Sequence, residues 1–376
     1  MTRAIGATDL VRLRPGLGQS ITPSPGSVLA SPVPGDWDPE PDYFFDWLRD
    51  GAIVMDAALV CLRRAETDDV REVWNRRFHG YVAFGLKVTG LRGSDLLAAG
   101  DPAAKATPQF RQFVRPPGEL AHIDGDTVRG DVRYNPDGTL DILRWSRPQH
   151  DGAALRAITL QRYAAAVREL DLPLAPGWGE LLAGDLDYTE KHFATQSYDL
   201  WEERLGMHPF TILVQRAAVS VAGREVPVIA IDEPERPDIA RVLAALHTDS
   251  SNDPVAVDVA RKLAAHFAEA LPINRCRPEG VGPVIGRYPG DQYFDGGAWF
   301  VATLAVAELA YRRGEMDLGD SFLAAVRRFV GAEGEMSEQI DPVTGDQRSA
   351  RHLTWSYAAF VTAAAARRRA LAARGS

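Results

Sequence analysis

From Asp46 onward, apolar residues recur at helical spacing. Over Asp46 to Arg64, Ile53, Ala57, Val60 and Cys61 fall on one side, which predicts an amphipathic helix. A second is predicted over Asp68 to Lys87, opened by the Thr67-Asp68-Asp69 capping cluster. A third runs from about Gly152 to Leu170, with Ala157, Leu160, Ala164 and Val167 as its stripe. Further helical runs lie at 178–194, 208–222, 236–247, 254–270, 297–313, 320–331 and 351–373. Counting short segments, the period predicts roughly ten to twelve helices. Gly297 to Tyr311 is apolar almost all round, whereas Asp320 to Val330 has a polar face carrying Arg327 and Arg328. A helix apolar on every side must be buried on most sides. Interleaved buried and half-exposed helices point to two concentric layers, an all-α fold of the α/α-barrel kind.

Strand signals are few. Val128 to Tyr134 and Thr139 to Trp145 flank the turn sequence Asn135-Pro136-Asp137-Gly138 and predict one β-hairpin. Leu213 to Ala230 fits helix and strand alike. Residues 11–35 carry Pro15, Pro23, Pro25, Pro32 and Pro34, so they are expected to run extended along a surface, strand-like near Ser27 to Ala30. Residues 90–130 show no readable period and are expected to form a loop shaping the rim of a pocket. No polar linker divides the chain after residue 40, and no sequence repeat is evident.

The 376 residues are 45% hydrophobic, enough for a large core, which excludes a disordered or fibrous chain. Length alone suggests about two domains. A net charge of −9 argues against nucleic acid or an anionic membrane as partner. Lys occurs only at 87, 105, 191 and 262, which reads as codon bias toward Arg. Cys61 and Cys276 cannot form a disulfide framework, and Cys61 reads as a buried thiol. The N-terminus shows no signal-peptide pattern, and the most apolar stretch, Ala298 to Ala310, is too short to span a bilayer and contains Glu308. The expectation is a soluble cytoplasmic protein. No metal-ligand spacing, no His-Glu-x-x-His, no nucleophile elbow and no phosphate loop occurs. Gly280, Gly282 and Gly286 have the wrong spacing for a dinucleotide loop, and Pro283 interrupts them. No metal or cofactor is expected.

The candidate chemistry lies in clusters of acids, aromatics and Arg outside the helical stripes. They are 41–50, 144–152, 197–203, 286–293, 337–339 and 350–357. Trp47, Trp145, Trp201, Trp299 and Trp355 fall in or beside them. Aromatic faces cover the apolar faces of a pyranose, while carboxylates and Arg bond its hydroxyls. Cleaving a glycosidic bond requires two carboxyls in different protonation states. Glu202, flanked by Trp201 and the like-charged Glu203, suits the protonated one. Glu338, in a polar Ser-Glu-Gln setting, suits the ionised one. Each cluster also has a plainer reading. Arg49-Asp50 can be a structural ion pair, Trp201-Glu202-Glu203 the acidic first turn of a helix, and Trp299 and Trp355 core residues.

In this order the clusters resemble glycoside hydrolase family 15, the glucoamylases, over residues from about 27 to 362. The most specific pieces are Tyr-Asp-Leu-Trp-Glu-Glu at 198–203, Gly-Arg-Tyr-Pro at 286–289 and Ser-Glu-Gln at 337–339. Trp-Leu-Arg-Asp at 47–50, Arg-Pro-Gln-His-Asp-Gly at 147–152 and Leu-Thr-Trp-Ser-Tyr-Ala at 353–358 add to them. The resemblance implies an (α/α)6 barrel, a single catalytic domain over 36–376 after an extended segment 1–35, and exo-acting, inverting release of β-glucose from short α-glucans. It implies Glu202 as general acid and Glu338 as general base. Tyr43 would lie near the attacking water, Arg49 and Asp50 would grip the terminal glucose, and Glu203 and Arg287 would lie near the leaving sugar. Trp47, Trp145, Trp201, Tyr293 and Trp355 would line the pocket.

Two departures stand out. His352 replaces a common Asp, and Gly297-Ala298 replaces an Asn-Pro before Trp299, which bears on leaving-sugar preference. The first motif begins at Pro41, so a lone barrel acting on soluble oligosaccharides is expected, with the α-1,4 or α-1,6 linkage open. A trehalase-like member of the family and a catalytically inactive sugar-binding barrel are the competing readings. Oligomeric state is not legible.

Overall fold

The structure is a computed structural model that describes residues 1–35, 40–233 and 235–375. Helix occupies 52% of the chain and strands are few and short, so the fold is all-α as expected. Ten helices of eight residues or more are found among the described residues. They are α1 (Leu48–Arg63), α2 (Asp68–Thr89), α3 (Asp151–Glu169), α4 (Trp178–Lys191), α5 (Pro209–Val221), α6 (Ala240–His247), α7 (Pro254–Ala270), α8 (Phe300–Arg312), α9 (Met316–Arg327) and α10 (Thr354–Gly375). The apolar period therefore finds every long helix, most to within a few residues of each end. Leu213 to Ala230 resolves as the end of α5 followed by irregular chain.

The chain divides into two compact units, Met1–Pro34 with Phe44–Val228, and Gly35–Tyr43 with Ile229–Ser376. Residue 36, the first of the expected catalytic domain, lies outside the described residues. In the first unit α3 packs against α1, α4 and α5, and its first ten residues, Asp151 to Leu160, are all buried. It is thus a core helix rather than the one-sided helix its stripe suggested. Its Arg156 makes a fork of two 2.7 Å bonds to Asp185 of α4, both groups buried, which stitches the two helices together. In the second unit α8 plays the corresponding part: Phe300 to Tyr311 are buried without exception, and α6, α9 and α10 pack on it.

The N-terminal segment departs from the extended surface run expected of it. β1 (Arg12–Arg14) and β2 (Gln19–Ile21) form a small antiparallel pair, and Ser27 to Ser31 are buried. The reason is close approach: Gly26 sits at φ +86°, and a Cβ there would stand 2.0 Å from the carbonyl oxygen of Gly80 on α2. Proline excluded helix here but did not determine exposure.

The expected hairpin also changes partners. The turn at 135–138 forms, with the Asn135 N–H donating to the Thr139 carbonyl at 3.0 Å. Beyond it only Tyr134 and Leu140 bridge, Val128 lies in a short helical turn, and β4 (Arg133–Tyr134) pairs instead with β3 (Asp46–Trp47). The side chain of Asp141 accepts the Leu143 N–H at 2.9 Å, a local bond that ends any strand at that point. Between 90 and 130 the chain forms short helical turns whose Leu96, Leu97, Leu120, Ile123 and Val128 pack against Phe84 and Val88 of α2.

His150, just ahead of α3, is buried. Its Nδ1 lies 2.6 Å from the Tyr188 hydroxyl, and its ring stacks on that of His192 with centroids 4.8 Å apart. Burial, and then the neighbouring His192, push its pKa down to about 4. A depressed histidine favours the neutral form in the folded chain, so its contribution is complete above the unfolded value near 6.5 and is lost as pH falls toward 4. Thermal melts between pH 7 and 4.5 should show a loss reaching about 3 kcal/mol, flattened in His150→Gln. Gly26→Ala should lower stability by about 2 kcal/mol or more, read as a drop in melting temperature.

Candidate active site

In the first unit three chain segments meet around one glutamate. The first is the junction of β3 and α1, where extended backbone turns helical at Trp47, leaving Arg49 and Asp50 in the opening turn of α1. The second is the approach to α3, carrying Trp145, Ser146, Gln149 and Asp151. The third is the loop between β5 (Ser197–Tyr198) and β6 (Leu205–Gly206), a tight antiparallel pair that holds Asp199 to Arg204 at its tip. Asp199 organises this loop: its Oδ1 accepts the N–H groups of Glu203 at 2.8 Å and Arg204 at 3.3 Å, and its carbonyl accepts the N–H of Glu202 at 2.9 Å. The loop is a turn, so the reading of Trp201-Glu202-Glu203 as the start of a helix does not apply. Glu202 itself sits in left-handed backbone, φ +65°.

The Glu202 carboxylate accepts four N–H bonds. Oε1 takes the Trp47 indole at 2.9 Å, the Gln149 amide at 3.0 Å and an Arg49 guanidinium N–H at 3.2 Å. Oε2 takes the Trp145 indole at 2.6 Å. The Ser146 hydroxyl donates to the Glu202 carbonyl at 2.6 Å, bracing the backbone as well. The side chain keeps 17% of its surface open, so the carboxyl is held yet reachable. These surroundings differ from those expected on sequence. Glu203 is exposed, and the rings beside the carboxyl belong to Trp47 and Trp145, with Trp201 half-buried nearby in the loop.

The like-charged neighbours of Glu202 are Asp50 and Asp151. Arg49 bonds Asp151 at 2.9 Å and Gln149 at 2.6 Å, and its Nε lies 4.0 Å from Asp50. One buried guanidinium therefore faces three carboxyl groups. Burial pushes the Asp50 pKa up to about 7; Arg49 opposes the shift, and Glu202 and Asp151 add to it. The Asp50 carboxyl thus takes up its proton near neutral pH.

The second unit contains the other expected residues. Glu338 is buried at the start of β8 (Gln339–Ile340); its N–H donates to the Ala350 carbonyl at 2.9 Å, and the Ser349 hydroxyl donates to its Oε2. The Gln347 side chain holds the preceding residue by accepting the Ser337 N–H at 2.7 Å. β8 pairs on one side with β7 (Ala298–Trp299) and on the other with β9 (Gln347–Arg348). Arg287 is buried and forked onto Asp291 at 2.6 and 2.7 Å, with its guanidinium 5.2 Å from the ring centres of Tyr293 and Trp299. The hydroxyls of Tyr43 and Tyr293 are 3.2 Å apart. Trp355 is buried in the first turn of α10, and His352 contacts the Tyr357 hydroxyl at 2.7 Å.

Sequence reading singled out Trp47, Arg49 and Trp145 but passed over Gln149 and Asp151 in the same motif, and Ser146 and Arg133. Gln149 bonds both Arg49 and Glu202, a bridging role that spacing does not reveal. Ser349 was missed because it is eleven residues from the glutamate it bonds.

Several known proteins are similar to this chain in sequence and fold. The description "Glycosyl hydrolases family 15" matches residues 130–237 and 314–365. A Saccharomyces cerevisiae protein described as a glucoamylase, intracellular and sporulation-specific, is 25% identical, covering 90% of this chain and 78% of that one. Among solved structures, the Hormoconis resinae glucoamylase superposes with a TM-score of 0.71 at 24% identity, covering 92% of this chain and 69% of the other. The Saccharomycopsis fibuligera glucoamylase gives 0.71 at 20% identity, covering 93% and 90%. These enzymes share the (α/α)6 barrel, and that is the fold of this chain. No helix among the described residues is long and apolar enough to cross a membrane. The chain is therefore similar to glycoside hydrolase family 15 and its glucoamylases, and the likeness indicates a glycoside hydrolase acting on an oligosaccharide.

Proposed function

We propose that the protein is an inverting, exo-acting α-glucosidase that releases β-glucose from the non-reducing end of short α-1,4- or α-1,6-linked glucans, with residues 36–376 acting as one catalytic domain. The observation that carries this is the convergence of Trp47, Trp145, Gln149 and Arg49 on Glu202, beside two further buried carboxyls. Such a cluster holds one carboxyl in a fixed, reachable position, which general acid catalysis requires. Among the described residues Oε1 takes three of the donors and Oε2 takes one.

In this reading Glu202 protonates the glycosidic oxygen as the bond to C1 lengthens. Glu338, braced by Ser349, takes a proton from water, and the water attacks C1 from the opposite face. Inversion asks for about 6.5–9.5 Å between the two carboxyls, room for that water. Tyr43 helps orient the water. Arg49 and Asp50 grip the terminal glucose, and Glu203 and Arg287 approach the leaving sugar. Trp47, Trp145, Trp201, Tyr293 and Trp355 supply apolar surface to the sugar rings. A cytoplasmic setting, with imported soluble oligosaccharides as substrates, suits this reading and parallels the intracellular description of the yeast relative.

Glucose release from maltose, isomaltose and trehalose, with the anomeric proton followed by NMR, tests the proposal directly. Early β-glucose is expected from maltose or isomaltose. Release from trehalose alone would favour the trehalase-like reading, and binding with no release from any would favour an inactive barrel. Glu202→Gln should cut turnover by about 10²–10⁴-fold, and near-normal turnover would remove Glu202 from the role of acid. The pH–rate profile should be bell-shaped, with acid and base each giving one limb. Asp50→Ala should weaken all substrates together; an effect on one alone would argue against a grip on the terminal glucose. Trp145→Ala should reorder the preference among leaving sugars.

A further inference from the structure

We propose that Arg133 is a positioning residue for proton donation, the platform on which the two indoles that hold Glu202 are set. This rests on Glu202 being the proton donor, as proposed above. Arg133 stands on β4 and is 2% exposed. Its guanidinium carbon lies 3.6 Å from the ring centre of Trp145, 4.7 Å from that of Trp47 and 4.2 Å from that of Phe45. Trp47 and Trp145 meet edge to face, with centroids 6.0 Å apart and planes at 73°. Each indole has one N–H, and the pair spends both on Glu202, one on each carboxyl oxygen. The cation they share fixes both ring planes. By drawing electron density from the rings it also makes each N–H a stronger donor.

Nothing in ordinary core packing calls for a charge at this position. A buried guanidinium is costly unless it is paired, and a Leu or Met of similar bulk would fill the space without that cost. The structure meets the cost with a buried chain of alternating charges. Arg133 Nε bonds Asp141 at 2.8 Å and Arg147 bonds the same carboxylate at 2.9 Å. Arg147 also lies 2.6 Å from Asp131, which takes two bonds from Arg115 at 2.9 and 3.0 Å. Burial works against an ionised Asp141, yet Arg133 and Arg147 together hold its pKa below the usual carboxylate value. The chain of charges ends at the rings. Among the described residues Arg133 has no hydrogen bond to Glu202, so it reaches the carboxyl through Trp47, Trp145 and the field.

The test compares leaving groups that differ in their need for a proton. One substrate is whichever of maltose, isomaltose and trehalose is cleaved fastest, since a sugar leaves poorly unless protonated. The other is 4-nitrophenyl α-glucoside, whose phenolate leaves with little help. Arg133→Met should lower kcat on the disaccharide about tenfold and on the aryl glucoside by less than about twofold, with Arg133→Lys between wild type and Met. In a Trp145→Phe background the Arg133 substitution should add less than its effect alone, because both act through one N–H. Equal losses on the two substrates, or full additivity with Trp145→Phe, would overturn the proposal. If the Met variant does not fold, Arg133→Lys and Asp141→Asn carry the same comparison. Glu202→Gln is run alongside: a loss that spares the aryl glucoside upholds Glu202 as the acid. If it fails to discriminate, the acid assignment has failed, a result separate from that for Arg133.

Discussion

Arg49 sets the terms for the charge cluster in the first unit. It is buried, and its single charge answers Asp50, Asp151 and Glu202 at once. Removing it would leave three carboxyls in a low-dielectric site with no cation in direct contact. Burial, with the neighbouring negative charges adding to it, pushes the Asp50 pKa up to about 7. The forked geometry also ties the opening turn of α1 to the opening turn of α3 and to the loop at Glu202. Local sequence explains each of these three elements separately. Their meeting point is explained by the guanidinium.

The same logic recurs at several other buried charges. Arg156 forks onto Asp185 and Arg287 onto Asp291, while Arg115 bonds Asp131, Glu119 and the Asp141 carbonyl at once. Lysine, with a point charge on a flexible stem, cannot reproduce these planar, multiply bonded contacts. The scarcity of Lys, read from composition as codon bias, therefore has a structural counterpart: the interior of this protein is organised by Arg–carboxylate pairs.

How much of this was legible in the sequence depends on range. The long helices were readable because each period lies within one segment, and α8 announced its burial by being apolar on every side. The six candidate clusters stood out in the sequence because aromatic and charged residues break the helical stripes. What was hidden depends on distant partners. The hairpin expected over 128–145 failed because β3, almost ninety positions earlier, supplied the competing strand edge. The burial of 27–31 failed because it turns on Gly26 meeting Gly80. Gln149 was present in a quoted motif, yet its bridge between Arg49 and Glu202 exists only after folding. Trp201 and Glu203 were expected beside the Glu202 carboxyl, whereas the groups around it, Trp47, Asp50, Trp145 and Asp151, are about fifty to one hundred and fifty positions away.

The left-handed backbone at Glu202 has an evolutionary side. At φ +65° a side chain with a Cβ is disfavoured, and Gly or Asn would sit there with less strain. The position proposed for the acid is thus one where losing the carboxyl would relax the loop. Asp199 and Ser146 would still bond its backbone, whatever the side chain. A descendant released from selection for turnover would have an easy first step toward a stable, sugar-holding protein without chemistry. Retention of glutamate on unfavourable backbone is what continued selection for hydrolysis would leave behind.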